Sequence, residues 1–486
     1  MKRLPLIFCG STLLALAGWA SPASASPKEL GYNVHQSADV GMDATKAAGL
    51  GWVRIDFNWL DAEPSVQGTY DWTRFDALMA AADARGLKVL AVLGYTPAWA
   101  SQADAKGGGS TNDIPKVGTY APFVTAAVNR YKAKVTHYEI WNEPNLEQFF
   151  EGTPQDYIDR IFIPGADAVH AACPACKVMG PGLATVGTAY ATWLDAVLTQ
   201  AGTKLDIVSG HIYHGFPVPG GGTGTTSDSF FNKLESHRVV KIGGATIYEG
   251  PLSFKEVMDK HAVTKPFWLT ETGKEANYGN AAEEEAQRLY TRQVLDVMVN
   301  RPWWTTTIFY EAFDEPPAPY HWGAVVHDPA APGGYSSKSV QGFLKKVTSS
   351  QPLFGGTKTD CDDGLDNDLD GTVDFPADMT CTSLASQSEG TAPAPDPDAG
   401  TVGTSSGDPG SSGSSGTSGA DGTSGGDGGT SGNGGTADSS GDDGGCHASR
   451  EGASSSALLG TTLATLIALG SVAARRRRAA RSRPTR

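Results

Sequence analysis

Ile140-Trp141-Asn142-Glu143-Pro144-Asn145 and Trp268-Leu269-Thr270-Glu271-Thr272-Gly273 each set one glutamate at the C-terminal end of an apolar run. Such runs read as strands buried on both faces. Around them, between residues 28 and 350, short apolar runs alternate with longer amphipathic ones. That alternation implies a parallel sheet whose strands are joined by crossover helices. The expected strands are 31–35, 52–59, 88–95, 137–142, 177–182, 206–213, 267–271 and 307–313. The clearest helix is 72–85, with Phe75, Leu78, Met79 and Ala82 as its apolar face and Gly86 placed to stop it. This pattern predicts an α/β chain folded as a (β/α)8 barrel with a few long loops. A doubly wound open sheet is the rival, and no Gly-rich phosphate loop follows the first strand to support it.

The barrel matters because its functional side chains gather at the C-terminal ends of the strands. Glu143 would follow strand four and Glu271 would end strand seven. Two carboxylates delivered into one pocket can divide acid and nucleophile roles across a glycosidic bond. Identity alone does not assign the roles; the surroundings must separate the two pKa values.

The first segment, with Asn before Glu and Pro after it, resembles the acid/base signature of clan A glycoside hydrolases. The second resembles that clan's nucleophile strand. The resemblance spans 28–350 and is nearest to the family 5 and family 39 types. It implies Glu143 as acid/base and Glu271 as nucleophile of a retaining enzyme that hydrolyses β-glycosidic bonds in an oligo- or polysaccharide, with no cofactor for catalysis. Arg54, in Trp52-Val53-Arg54-Ile55-Asp56, resembles the clan arginine that keeps the nucleophile charged. A structural ion pair with Asp56 or another core acid is the other reading of it. His211-Ile212-Tyr213 resembles the clan's His-x-Tyr pair, and strand alternation aims both side chains to one face. Asn142 is expected to hydrogen-bond the sugar 2-hydroxyl.

Aromatic residues at strand ends, Trp59, Tyr95 and Trp99 among them, are candidate sugar platforms; Phe149, Phe150 and Trp322 lie in similar places. Two departures from the clan pattern bear on the substrate. Tyr95-Thr96-Pro97-Ala98-Trp99 stands where many members carry a histidine. Strand eight runs into Phe309-Tyr310-Glu311-Ala312-Phe313-Asp314-Glu315-Pro316 instead of ending in tryptophan. The sugar is therefore not inherited from any one family. The alternative class is a non-catalytic carbohydrate-binding or adhesive surface protein on the same barrel. Metal-assisted chemistry would need a His-rich ligand set that the chain lacks.

The rest of the 486 residues reads differently. Lys2 and Arg3, an apolar stretch and Ala23-Ser24-Ala25 read as a signal peptide over 1–25, followed by the barrel over 26–350. Export makes disulfides permissible. Cys173-Pro174-Ala175-Cys176 then reads as a local structural disulfide, with a redox or metal role as the alternative. In the segment 351–383, Asp366, Asp368, Asp370, Thr372 and Asp374 put oxygens at alternate positions around Gly371, which resembles a calcium loop. The twelfth position is Ala377 where a bidentate glutamate belongs, so a plain acidic spacer is the alternative. Cys361 and Cys381 flank the loop and are placed to staple it.

Residues 384–445 are Gly, Ser, Thr and Asp with almost nothing apolar, a flexible linker by composition. The tail, 446–486, opens on Cys446, passes a weakly apolar stretch and ends in arginines. It resembles the C-terminal sorting tail of myxobacterial surface proteins, processed near the cysteine; an ordinary membrane span is the alternative. Both put the barrel at the cell surface or outer envelope. A net charge of -15 argues against nucleic acid as partner.

Overall fold

The computed structural model describes residues 27–35, 38–102, 111–216, 229–314, 321–356, 360–362, 365–366 and 373. The expected signal, linker and tail lie outside them. Eight parallel strands close into a barrel: β1 (Glu29–Asn33), β2 (Trp52–Asn58), β3 (Lys88–Gly94), β4 (Val135–Ile140), β5 (Lys177–Ala184), β6 (Ile207–His211), β7 (Phe267–Thr272) and β8 (Trp304–Phe309). Neighbours in the chain are neighbours in the sheet, and β1 closes on β8 with Tyr32 opposite Phe309. The open-sheet rival is excluded.

Helices follow the strands: α1 (Ala38–Ala47), α2 (Thr73–Arg85), α3 (Tyr120–Tyr131), α4 (Ile163–Ala172), α5 (Ala189–Ala201), α6 (Phe254–Lys260), α7 (Ala281–Val299) and α8 (Ser339–Ser350). In α2 the face read from the sequence is the buried one, and Phe75 stacks on Phe57 of β2 with ring centres 4.8 Å apart. Truncating Phe75 to alanine should cost about 3–5 kcal/mol. Gly86 ends α2 at φ 69°, a conformation free of penalty only for glycine, and its N–H reaches Ala82 O and Asp83 O.

The lumen is layered. Trp52, Leu90, Met179, Ile207, Trp268 and Ile308 form an apolar plug separate from the outer core. His137 of β4 stacks on Trp268 at 5.1 Å, and Lys28 closes the N-terminal end by donating to Arg301 O and Trp304 O, each at 2.7 Å. Arg54, Glu139, Thr270 and Asn33 come next, all buried. Each lies two residues further along its strand than a residue of the plug level (Trp52, His137, Trp268) or beside one, as strand alternation requires.

The strand ends differ from expectation in two informative places. Strand four starts earlier, at Val135, and stops at Ile140. Trp141 and Glu143 then take positive φ, 73° and 43°, which turns the chain over the barrel mouth. Non-glycine residues hold that conformation only when their surroundings demand it. Here Trp141 N donates to Leu93 O, Trp141 Nε1 to Phe149 O and Glu143 N to Gly182 O, at 3.1, 2.9 and 3.0 Å. The run 307–313 is divided. Trp304–Phe309 belongs to the barrel, while Phe313–Asp314 pairs with Val325–His327 in a small sheet completed by Tyr335–Ser337.

Cys173 and Cys176 form the expected local disulfide between α4 and β5. Cys361 is buried and disulfide-bonded; its expected partner Cys381 lies outside the described residues. Leu365 is buried in the outer core, and Asp366 N donates to Asp296 Oδ1 of α7 at 3.1 Å. Asp368, Asp370, Thr372 and Asp374 also lie outside the described residues.

Candidate active site

Arg54 organises the C-terminal mouth of the barrel. It is 1 % exposed, and every edge of its guanidinium is used. Nε donates to Glu139 Oε2 at 2.7 Å, Nη1 to Glu271 Oε1 at 2.6 Å and to Asn33 Oδ1 at 2.9 Å, and Nη2 to Asn142 Oδ1 at 2.7 Å. Burial opposes its charge, but Glu139 and Glu271 more than offset that and hold it protonated. Arg54 thus makes both contacts at once: it is bonded to Glu271 and also paired with a core acid. The acid in that pair is Glu139, not Asp56.

Glu271 takes a second donor on its other oxygen, Tyr213 Oη at 2.8 Å. Burial lifts its carboxyl above the ordinary range, while Arg54 and the Tyr213 hydroxyl pull it back. Burial and the neighbouring Glu271 charge push Tyr213 well above the usual tyrosine range, so it stays a donor. Glu143 meets a different environment. Burial raises its carboxyl well above normal, the Glu271 charge raises it further and Glu139 adds to this; Arg54 acts the other way. The direction of the split is clear: Glu143 holds its proton to higher pH than Glu271.

His211 stands between the two. Its Nδ1 is 2.8 Å from Glu143 Oε1 and 3.6 Å from Glu271 Oε2. Burial, aided by Arg54, drives its pKa well below the ordinary value and leaves a neutral imidazole. An oxygen of Glu143 lies within 4.8 Å of an oxygen of Glu271.

A second charged group lies beside the first. His35, just past β1, contacts Asp56 Oδ2 at 3.2 Å and Glu311 Oε2 at 3.8 Å. Burial disfavours its charge, yet the hydrogen bond and charge of Asp56, with Glu311 and Glu271, raise it to about 9. Asp56 in turn is held below the ordinary range: burial acts upward, and His35 and Arg54 outweigh it.

The aromatic expectations divide. Tyr95 is half-buried, stands edge-on to Trp141 at 5.5 Å and feels the charges of Asp56, Arg54, Glu143 and Glu271. Trp99 is half-buried and donates to Glu63 O at 2.7 Å. Trp59 is corrected: it is fully enclosed, stacked on Phe123 with Nε1 bonded to Glu63, and offers no face to a sugar. The chain turns helical at Trp59–Ala62, and that turn carries the ring into the core.

Trp322, named among the strand-end aromatics, is half-buried and packs against the buried Tyr310. Trp322 stands edge-on to Tyr213 at 5.2 Å and to Tyr310 at 6.2 Å. Gln287 of α7 holds the Trp322 loop through Trp322 O and Gly323 O, at 3.3 and 3.4 Å. Glu139 and His35 were missed. Their only sequence signals are an acid inside the apolar run of strand four and a histidine at the end of strand one.

No family model matches the chain, and neither does any curated protein. Among solved structures it is similar to a family 39 glycoside hydrolase from the gut symbiont Bacteroides cellulosilyticus WH2, at 18% identity and TM-score 0.49, over 66% of this chain and 63% of that one. It is also similar to a family 39 β-xylosidase from Caulobacter crescentus, at 19% identity and TM-score 0.49, over 68% of this chain and 73% of that one. A family 39 enzyme from Xanthomonas axonopodis pv. citri shows 18% identity and TM-score 0.47, over 66% and 67% of the two chains. The chain thus spans less than two thirds of the first of these. Likenesses this loose leave function to be argued from the site.

Proposed function

We propose that the chain is a retaining O-glycosyl hydrolase cleaving β-glycosidic bonds in an oligo- or polysaccharide. The observation that carries the reading is the pair Glu143–Glu271, with oxygens within 4.8 Å and opposed surroundings. So close an approach of the two carboxylates fits the roughly 5–5.5 Å separation of a retaining pair. Glu271, ionised and held by Arg54 and Tyr213, attacks the anomeric carbon. Glu143 gives its proton to the leaving oxygen as the glycosidic C–O bond breaks. The resulting glycosyl ester on Glu271 is opened by water, whose proton returns to Glu143. Asn142, oriented by Arg54 Nη2, is placed to bond the 2-hydroxyl as charge develops at the ring.

Address belongs to the same proposal: export by the segment 1–25, then attachment at the cell surface through the tail 446–486, processed near Cys446. The acidic linker would let the barrel reach polymers beyond the envelope. The test is hydrolysis of a polysaccharide and aryl-glycoside panel by the full chain, with the first-formed anomer followed by NMR. A β-anomer from a β-linked substrate is expected; an inverted product, or no hydrolysis across the panel, rejects the reading.

A further inference from the structure

Glu139 is a charged group that the reaction above does not use. It is fully buried on β4, beneath the catalytic pair, and too deep to touch a sugar. A Cβ built on Gly182 would lie 3.0 Å from its Oε1, so the chain closes directly over it. Its partners are Arg54 Nε on one oxygen and the Thr270 hydroxyl on the other, at 2.7 and 2.9 Å. A carboxylate taken this far from water is expensive and persists only with such partners. An apolar side chain would fill the space more cheaply, so what Glu139 does to Arg54 needs an account.

Arg54 serves two carboxylates with one charge. Its Nε edge is pinned by Glu139, which leaves Nη1 aimed at Glu271 and Nη2 at Asn142. We propose that Glu139 is a positioning residue that apportions Arg54: it fixes the fork toward Glu271 and Asn142, and it cancels enough of the guanidinium field for Glu143 to keep the proton it must donate. Without it, a full positive charge would sit below both catalytic carboxyls. Glu271 would ionise more readily, which is harmless, but so would Glu143. The groups facing Glu143 are Arg54 from β2, Tyr95 after β3, Glu139 on β4, His211 and Tyr213 at the end of β6, Glu271 on β7 and Tyr310 after β8. His35 after β1, Asp56 on β2 and Glu311 after β8 form a second charged group beside them. Of the acids among them, Glu139 is the most deeply sealed, with no exposed surface. The inference rests on the roles proposed for Glu143 and Glu271.

The experiment is kcat/KM against pH for the full chain, wild type, E139D and E139Q, with folding checked by circular dichroism. Two aglycones are compared, an alkyl group that needs protonation and a nitrophenyl group that does not. For the alkyl glycoside, E139Q should move the alkaline limb down by about one pH unit, since a charge a few ångströms away is worth that much at a buried site. E139D, with its charge withdrawn by one methylene, should move it less in the same direction. The nitrophenyl glycoside should show no such loss. A uniform fall in rate with an unmoved limb, or the same loss on both aglycones, means a merely structural Glu139 and overturns the inference. Should E139Q not fold, an unmoved limb in E139D overturns it equally. A wild-type chain that hydrolyses nothing rejects the proposed function and this inference with it; an active wild type with unmoved limbs rejects this inference alone.

Discussion

Tyr213 Oη donates to Glu271 at 2.8 Å, on the oxygen that Arg54 leaves free. Both sides of Glu271 are therefore committed to donors that favour its ionised form. Glu143 instead contacts a neutral His211 and feels two neighbouring negative charges, which with burial outweigh the pull of Arg54. The two glutamates are chemically unequal although both are buried.

That inequality predicts different losses. Glu271→Ala should abolish turnover, and azide, small enough for the vacated space, should restore it with an inverted glycosyl azide as product. Glu143→Ala should keep most of its rate on nitrophenyl glycosides and lose about 100-fold or more on alkyl glycosides, because general acid help is worth about that much. Equal losses on every leaving group would reverse the assignment.

The same inequality sets the pH profile. On the proposed mechanism, turnover needs Glu271 ionised and Glu143 protonated, and the Glu143 pKa is the more strongly raised of the two. Activity should fall on the acid side as Glu271 takes up a proton, and on the alkaline side as Glu143 loses one. The alkaline limb of kcat/KM should therefore be present on an alkyl glycoside and absent on a nitrophenyl glycoside, whose leaving group needs no proton, while the acid limb stays on both. Persistence of the alkaline limb on the nitrophenyl glycoside would assign it to another group.

Tyr213→Phe removes one charge-assisted hydrogen bond, worth about 1.5–3 kcal/mol. The expected loss in kcat/KM is roughly 10- to 100-fold. The acid limb should also move to higher pH, since Glu271 then ionises less readily. A rate loss with a stationary acid limb would make Tyr213 a packing residue.

Much of this was legible in the chain and some was not, for physical reasons. Strands buried on both faces announce themselves as apolar runs, so the strands of the barrel and the ends carrying Glu143 and Glu271 could be read directly. Arg54, Asn142, His211 and Tyr213 converge as their resemblance to clan residues implied. Glu139 was not legible, because an acid in an apolar run declares burial but not its partner. His35 and Asp56 meet across two strands, and nothing local pairs them. Trp59 was misread because a strand-end aromatic faces the pocket only if the strand geometry continues, and here it becomes a helical turn. Trp322 reaches the site from a loop excursion whose small sheet has no repeat with the barrel strands.

Glu143 should also mark the stability of the fold. Its folded pKa lies above its unfolded one, so its contribution is complete below the unfolded value and is lost as pH rises through the folded value. Glu143→Gln escapes that loss. The variant should match wild type near pH 4 and be the more stable of the two on the alkaline side, with a higher Tm there. Calorimetry across that range decides it, and a Tm difference independent of pH would show that Glu143 ionises as easily folded as unfolded.

The charge of the pocket makes a prediction about the sugar. The two cations described at the mouth are already bracketed, Arg54 by Glu139 and Glu271, and His35 by Asp56 and Glu311. Asp56 lies two residues after Arg54 on β2, so alternation aims it into the same mouth, where its side chain is 18% exposed. A neutral sugar can donate hydroxyls to such acceptors, and the positive charge that develops at its anomeric carbon is favoured by them. A uronic acid would bring another carboxylate against them. Like charges about 5 Å apart cost about 3 kcal/mol at the effective dielectric of such sites. Uronosides should therefore be cleaved about 100-fold less efficiently than matching neutral glycosides, and Asp56→Asn should narrow that gap. Competition between paired neutral and uronic aryl glycosides measures it, and preference for the uronoside would mean that a cation beyond this bracketed set governs the pocket.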